Sequence, residues 1–430
     1  MDAIIRKREL EKIKQDSSNV QMTGIPLRYK SEIRKENVYK IPLEYLIYNK
    51  YNGRIGTEVQ SYETQNGPLN PEVDTDKIII EKFLYDSKQD RNKKTMESLL
   101  KNGQQRYGIV TADGKIVDGN RRASLLNKLF AERTAMNHTF SEVEHCQYFF
   151  AIILPDDATE KDMQQLETIY QMGEDDKLDY NAIEKYLKCK ELKKYFTNKD
   201  IADFMGEESE KQIKKWLDIL ELMEEYLDTY GYTGIYTRLE KTEGPFVDLQ
   251  GYLESYKNRS ANTSSVDWAY DESDISDLKL VCFDYIRARY EGKEFRDIAK
   301  TGKEGSIFAH KDIWDEFKKM HMEIPNDEEC VDVLRAKQPN EELSQLLRSR
   351  DIDWSKKVKS HLEGNLRRQT SKLEDKRDAN QPLKLLERAY NAINSVDTSQ
   401  DGFFDNPRVL EYIKDISKIT WDMKKLLDRK

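Results

Sequence analysis

Five consecutive residues, Asp118, Gly119, Asn120, Arg121 and Arg122, concentrate more chemistry than any other stretch of the chain. They follow the run KIV at 115–117 and precede the apolar series Ala123, Leu125, Leu126 and Leu129. A strand is therefore expected to turn directly into a helix. Gly119 permits the tight turn, and Asn120 is expected to cap the helix. A helix N-terminus presents unpaired N–H groups and the positive end of the dipole. Two arginines in its first turn are unfavourable there unless an anion is bound, and backbone N–H groups with guanidinium forks suit a phosphate. The same residues also read as an ordinary capped helix with exposed arginines. If the site is catalytic, metal-assisted phosphoryl chemistry fits it. Asp118 or Glu174 then supplies the oxygen ligand, and the arginines stabilise developing charge.

The elements that must position this pentapeptide lie in an α+β block at 37–155. VYKIPLEYLIYN reads as a strand before the turn signal YNGR, and SYETQNGPLNPEVD reads as a surface loop. KIIIEKFLYD and KKTMESLLKNG read as helices, the second closing at Gly103. RYGIVTADGKIVDG reads as a β-hairpin, and CQYFFAIILP as a buried strand. After residue 156 the periodicity is helical almost throughout. Expected divisions are a basic, solvated arm at 1–36, the mixed domain at 37–155, a helical domain at 156–230, a helical connector region at 231–305 and a helical C-terminal domain at 306–430. LRRQTSKLEDKRDANQ is polar enough to be a mobile connector.

Within 156–230, FTNKDIADFMGEESEKQIKKWLDIL reads as a helix-turn-helix. Thr197 caps the first helix, which also carries Lys199, and Gly206 makes the turn. Ile213, Trp216, Leu217 and Leu220 of the second helix face inward. Lys211, Gln212, Lys214 and Lys215 face outward, where lysines reach phosphates and glutamine reads a base edge. From 187 to 227 eight lysines stand against ten acidic residues, so DNA affinity there depends on segregating the lysines on one face or on dimerisation.

Composition narrows the classes. The chain has 430 residues, a formal net charge of −9 and 35% charged residues, above the roughly 25% of ordinary domains. The charges are interspersed, as on solvated helix faces. No apolar run approaches the roughly 20 residues of a membrane span, and MDAIIRKRELEKIK lacks the apolar region of a signal peptide, so a cytoplasmic protein is expected. The four cysteines form no CxxC pair, and neither HExxH nor a Walker loop is present. His138 and His145, near the end of the mixed domain, read either as catalytic or as structural histidines, and the five tryptophans suit core or interface anchors. The C-terminal IKDISKITWDMKKLLDRK is amphipathic and suits oligomerisation or folding back on its own domain.

The run SLLKNGQQRYGIVTADGKIVDGNRRASLL resembles the core of the ParB/sulfiredoxin-like domain. Gly103 corresponds to its helix-ending glycine, and Gly119, Arg121 and Arg122 to its G-x-R-R signature, with Asn120 where ParB proteins usually carry Glu. Asn52, Gly53 and Arg54 are similar to the family's Asn-Pro-Arg box, with Gly for Pro. Ala182-Ile183-Glu184 stands at the Pro-Ile-Glu helix start. Upstream of it, in GEDDKLDYN, Lys177 takes the place of an arginine, and Glu174, Asp175 and Asp176 offer oxygen ligands to Mg²⁺. The resemblance covers about 37–228. It implies a ParB-like DNA-binding protein of a partitioning, DNA-modification or phage-defence system. It further implies a nucleoside triphosphate (CTP or ATP) with Mg²⁺ at Arg54, Gly119, Asn120, Arg121, Arg122 and Lys177, and oligomerisation through the C-terminal helices. The alternatives are a superfamily nuclease or ATP-using enzyme, and a non-catalytic scaffold that has lost its ligand.

Overall fold

The run YFFAII sends Phe149, Ala151 and Ile153 to one face and Ile152 to the other, and it forms the middle strand of a five-stranded sheet. The computed structural model describes residues 1–30, 32–172, 181–207, 209–260, 263–302, 305–325 and 328–428. The strands are β1 (Val20–Tyr29), β2 (Glu32–Pro42), β3 (Gly108–Val110), β4 (Ile116–Asp118) and β5 (Tyr148–Ile153), in the order β1-β2-β5-β3-β4. β3 runs parallel to β5, pairing Ile109 with Ile152, and the other three pairings between these strands are antiparallel.

Helices cover both faces, so the middle strand is apolar on both sides. In chain order they are α1 (Ala3–Gln15), α2 (Gly56–Asn66), α3 (Asp74–Asp86), α4 (Gln89–Asn102), α5 (Asn120–Ala131), α6 (Phe140–Val143) and α7 (Glu160–Met172). One layer joins Ile41, Ile80, Leu84, Leu99, Leu125 and Phe149, and the other joins Leu27, Val38, Val117, Ile152 and Leu166. The expected hairpin is β3–β4, and the expected helix end is Gly103, at φ +68°.

The chain departs from expectation at both flanks of this sheet. Residues 1–36 are not a solvated arm. Leu10 of α1 is fully buried, and β1 completes the sheet. Arg6 fastens α1 by donating from Nη2 to Glu72 Oε1 at 2.9 Å, from Nη1 to the Met1 carbonyl at 3.0 Å and from Nε to the Asp113 carbonyl. Pro26, Gly24 and register slips between Val20 and Ile25 interrupt the β1 ladder, which suits an edge strand. SYETQNGPLNPEVD is a loop only in part, because its first six residues belong to α2.

Beyond the sheet come α8 (Ala182–Leu192), α9 (Asn198–Met205), α10 (Glu210–Thr229), α11 (Glu243–Lys257), α12 (Glu272–Arg287), α13 (Phe295–Ile298), α14 (Lys311–His321), α15 (Val331–Lys337), α16 (Leu343–Asn394), α17 (Asp401–Asp405) and α18 (Pro407–Leu427). Contacts group Met1–Asn365 into one unit and Leu366–Lys430 into another, so the divisions expected near 155, 230 and 305 all fall inside the first. The stretch 366–381, read as a connector, is helical and part of α16. In the second unit α18 exposes Leu410, Ile413, Ile419, Trp421, Met423 and Leu426. Among the described residues no helix is long and apolar enough to cross a membrane.

Candidate phosphate-binding site

The turn from β4 into α5 works only with glycine at 119. Its φ is +105°, and a Cβ there would lie 2.5 Å from the Phe149 ring. Gly119 itself is the N-cap of α5, with no side-chain hydrogen bond to the helix end and no acidic residue in the first turn. Asn120 is thus not the cap. It is the first helical residue, 2% exposed, and its amide pairs with the Asn49 backbone: Nδ2 donates to the carbonyl at 2.8 Å, and Oδ1 accepts from the N–H at 3.1 Å. This pairing brings the 49–54 loop against the start of α5.

The loop is shaped by its own side chains. Asn49 Oδ1 accepts from the Tyr51 N–H, and Asn52 Oδ1 from the Arg54 N–H, each at 3.2 Å, as two Asx turns. Beneath them Glu167 of α7, 2% exposed, accepts from Asn52 Nδ2 at 3.3 Å, the Gly53 N–H at 3.2 Å and Asn49 Nδ2 at 3.4 Å. Its charge is met by the equally buried Lys188 of α8 at 2.9 Å.

Arg122 is engaged within the protein. Nη2 pairs with Asp118 Oδ2 at 2.8 Å, and Nη1 donates to the carbonyls of Tyr107, at 3.0 Å, and Arg106. Burial lowers its pKa, Asp118 opposes the shift, and the positive charges of Arg106 and Arg54 add to it. Three arginines therefore share one electrostatic neighbourhood at the α5 N-terminus. Arg121, also half-buried, is beside them in the first turn. Asp118 is committed to Arg122, so its expected catalytic part gains no geometric support. Glu174 and Lys177 lie outside the described residues. Among the described residues no group of three or more His, Cys, Asp or Glu side chains is placed to hold a metal ion. The described donors do not make a Mg²⁺ centre.

Two further carboxyl groups, Glu184 and Glu58, neighbour each other, and the first also meets Arg54. Burial, then the neighbouring Glu58, pushes Glu184 up to about 8, with Arg54 and Lys88 opposing. Glu58 is also raised, chiefly by burial. His145 places Nε2 2.9 Å from the Leu99 carbonyl near the end of α4, a structural contact.

The expected helix-turn-helix is α9 and α10. Thr197 caps α9 in a reciprocal box with Asp200, and Gly206 turns at φ +63°. Ile201, Met205, Ile213, Trp216 and Leu220 are buried, and Leu217 is half-buried. Lys199, Lys211, Lys214 and Lys215 are exposed, and Gln212 is half-exposed. Further along α10, Asp218, Glu221 and Glu225 join Lys214 in lining a cleft of about 800 Å³ against α11 and α12. The lysines thus gather on the first two turns of α10, and acidic side chains follow.

No protein-family model, no curated protein and no solved structure matches the chain.

Proposed function

We propose that the chain is a cytoplasmic, ParB-like DNA-binding protein of a partitioning, DNA-modification or phage-defence system, which takes a nucleotide or nucleic-acid phosphate at the α5 N-terminus. The observation that carries the reading is the gathering of Arg54, Arg106 and Arg122 beside a helix end with no capping side chain. The positive charges of Arg106 and Arg54 act on Arg122 even with Asp118 beside it, and a phosphate placed there is drawn to the same charges. The helix dipole and first-turn N–H groups favour the same occupant. CTP and ATP, each brought with its own Mg²⁺, are the ligands to compare. The Lys211–Lys215 end of α10 would meet the DNA backbone, and the exposed apolar side of α18 would join copies of the chain or a partner.

Titration with CTP, ATP and inorganic tripolyphosphate tests the site. Arg54→Gln and Arg121→Gln are each expected to weaken binding about tenfold or more, the scale of one charge-assisted hydrogen bond. Arg122 is the wrong first choice, because its removal also strands Asp118. Binding unaffected by both variants, or absent in a folded wild type, would end the phosphate reading.

DNA retention is tested separately. Each phosphate contact contributes about 0.9 to the slope of log affinity against log salt. Lys211→Ala/Lys215→Ala is expected to lower that slope by about 1.8 if each lysine makes one phosphate contact. An unchanged slope places the DNA elsewhere or removes it.

A further inference from the structure

Glu167 presents a problem for an anion site. A buried carboxylate touching the loop that carries Arg54 should repel a phosphate unless a positive charge is paired with it. Lys188 eases the conflict, because its ammonium meets Glu167 Oε2 at 2.9 Å and donates to Gln164 Oε1, with both charged side chains 2% exposed, while the more exposed Glu191 stands farther from it at 3.7 Å. The carboxylate is then free to organise backbone and amide groups with a positive charge directly against it. Its Oε1 gathers the Asn52 amide and the Gly53 N–H, the two residues before Arg54. Its Oε2 reaches Asn49, whose backbone holds Asn120. A continuous buried chain thus runs from α8 through α7 and the 49–54 loop to the first residue of α5.

We propose that Glu167 and Lys188 are the positioning residues of the anion site: the carboxylate holds the 49–54 loop against α5, and the ammonium cancels its charge so that a phosphate is accepted there. The inference rests on the phosphate reading of the α5 N-terminus. A merely structural pair and a positioning pair predict different signs. Either single substitution of a buried ion pair lowers stability, because one charge is left uncompensated. Anion affinity, however, must move in opposite directions. Lys188→Met leaves a negative charge under the site and is expected to weaken binding about three- to tenfold. Glu167→Gln leaves a positive charge, keeps one acceptor for the loop, and is expected to hold or strengthen binding by a similar factor, because a buried charge that does not touch the anion acts through an intermediate dielectric. Asn52→Ala leaves the ion pair intact, loosens the turn before Arg54 and is expected to weaken binding.

The experiment is calorimetric titration of the full chain and the three variants with tripolyphosphate, with thermal melting alongside. Opposite signs for Lys188→Met and Glu167→Gln, with weakened binding in Asn52→Ala, support the assignment. Affinities that fall together in step with the melting temperature, or an Asn52→Ala protein that binds as wild type does, overturn it and leave the site itself standing. If the charge variants do not fold, Asn52→Ala alone decides. A folded wild type that binds no tripolyphosphate overturns the phosphate reading and this inference together.

Discussion

Asp351→Ala is expected to cost about 3–5 kcal/mol, the usual penalty for stripping one partner from a buried ionic cluster. Asp351 sits near the start of α16 with its side chain 3% exposed. Oδ2 accepts from Arg238 Nη2 at 2.7 Å and from the Tyr232 hydroxyl at 2.5 Å, and Oδ1 accepts from Arg287 Nε at 2.8 Å. Arg350 adds a third guanidinium at 3.3 Å. Burial alone would raise the Asp351 pKa, but Arg287 and Arg238 outweigh it and hold the carboxyl below its ordinary range. The Arg287 guanidinium lies between the Tyr230 and Trp354 rings, 4.7 and 4.4 Å from their centroids. Without Asp351, Arg238 loses its only charged hydrogen-bond acceptor among the described residues, and Arg287 and Arg350 are left with Glu328. An exposed pair on the same helix, Lys356 and Asp353 at 3.4 Å, makes the control: Lys356→Ala is expected to change stability by about 0.5 kcal/mol or less. Urea midpoints followed by tryptophan fluorescence measure both. An Asp351→Ala midpoint as close to wild type as that of Lys356→Ala would show that the cluster contributes no more than a surface pair.

What could be read from sequence, and what could not, follows from the range of the interactions. The strand-turn-helix at 115–129 was legible because its glycine, its β-branched run and its helical apolar period are all local. The Asp118–Arg122 ion pair has the i,i+4 spacing that announces it. Asn120 was misread as a cap because its partner, Asn49, is 71 residues away, and Asn is the usual residue at a cap. β1 was missed because VQMTGIPLRY holds a glycine and a proline and alternates poorly. Its strand character comes from pairing with β2, not from its own pattern. Arg6 reads as one more surface arginine in RKRELEK until Glu72 and Asp113 are brought beside it. Glu167 and Lys188 carry no local signal at all: each is an ordinary charged residue in a helix, and only tertiary packing buries them together. The candidate site therefore combines a glycine-arginine signature visible in sequence with a buried support that is not.

Glu184 should make stability depend on pH in the direction opposite to the usual salt-bridged carboxylate. Its ordinary value is 4.5, and burial with the nearby Glu58 raises it to about 8 in the folded protein. Between those values the unfolded chain has lost the proton and the folded chain still holds it. Stability is therefore fully present below about pH 4.5, falls as pH rises, and has lost its whole contribution once pH passes about 8. At about 1.4 kcal/mol per unit the ceiling is about 5 kcal/mol, and Glu58, raised in the same direction, adds to the trend. Glu184→Gln keeps an acceptor for the Asn181 N–H, which Glu184 Oε2 now receives at 3.3 Å, and removes the titration. The variant is expected to match wild type near pH 5 and to be more stable by several kcal/mol near pH 8.5. The same proton bears on the anion site, because Arg54 is one of the charges that Glu184 meets when it ionises. Above pH 8 the carboxylate competes with a phosphate for Arg54, so tripolyphosphate affinity should fall in wild type and stay level in Glu184→Gln. Urea midpoints and titrations from pH 5 to 9 read both effects. Parallel stability curves for the two proteins would mean that Glu184 is already ionised at neutral pH, held by Arg54 and Lys88, and that its burial is fully compensated.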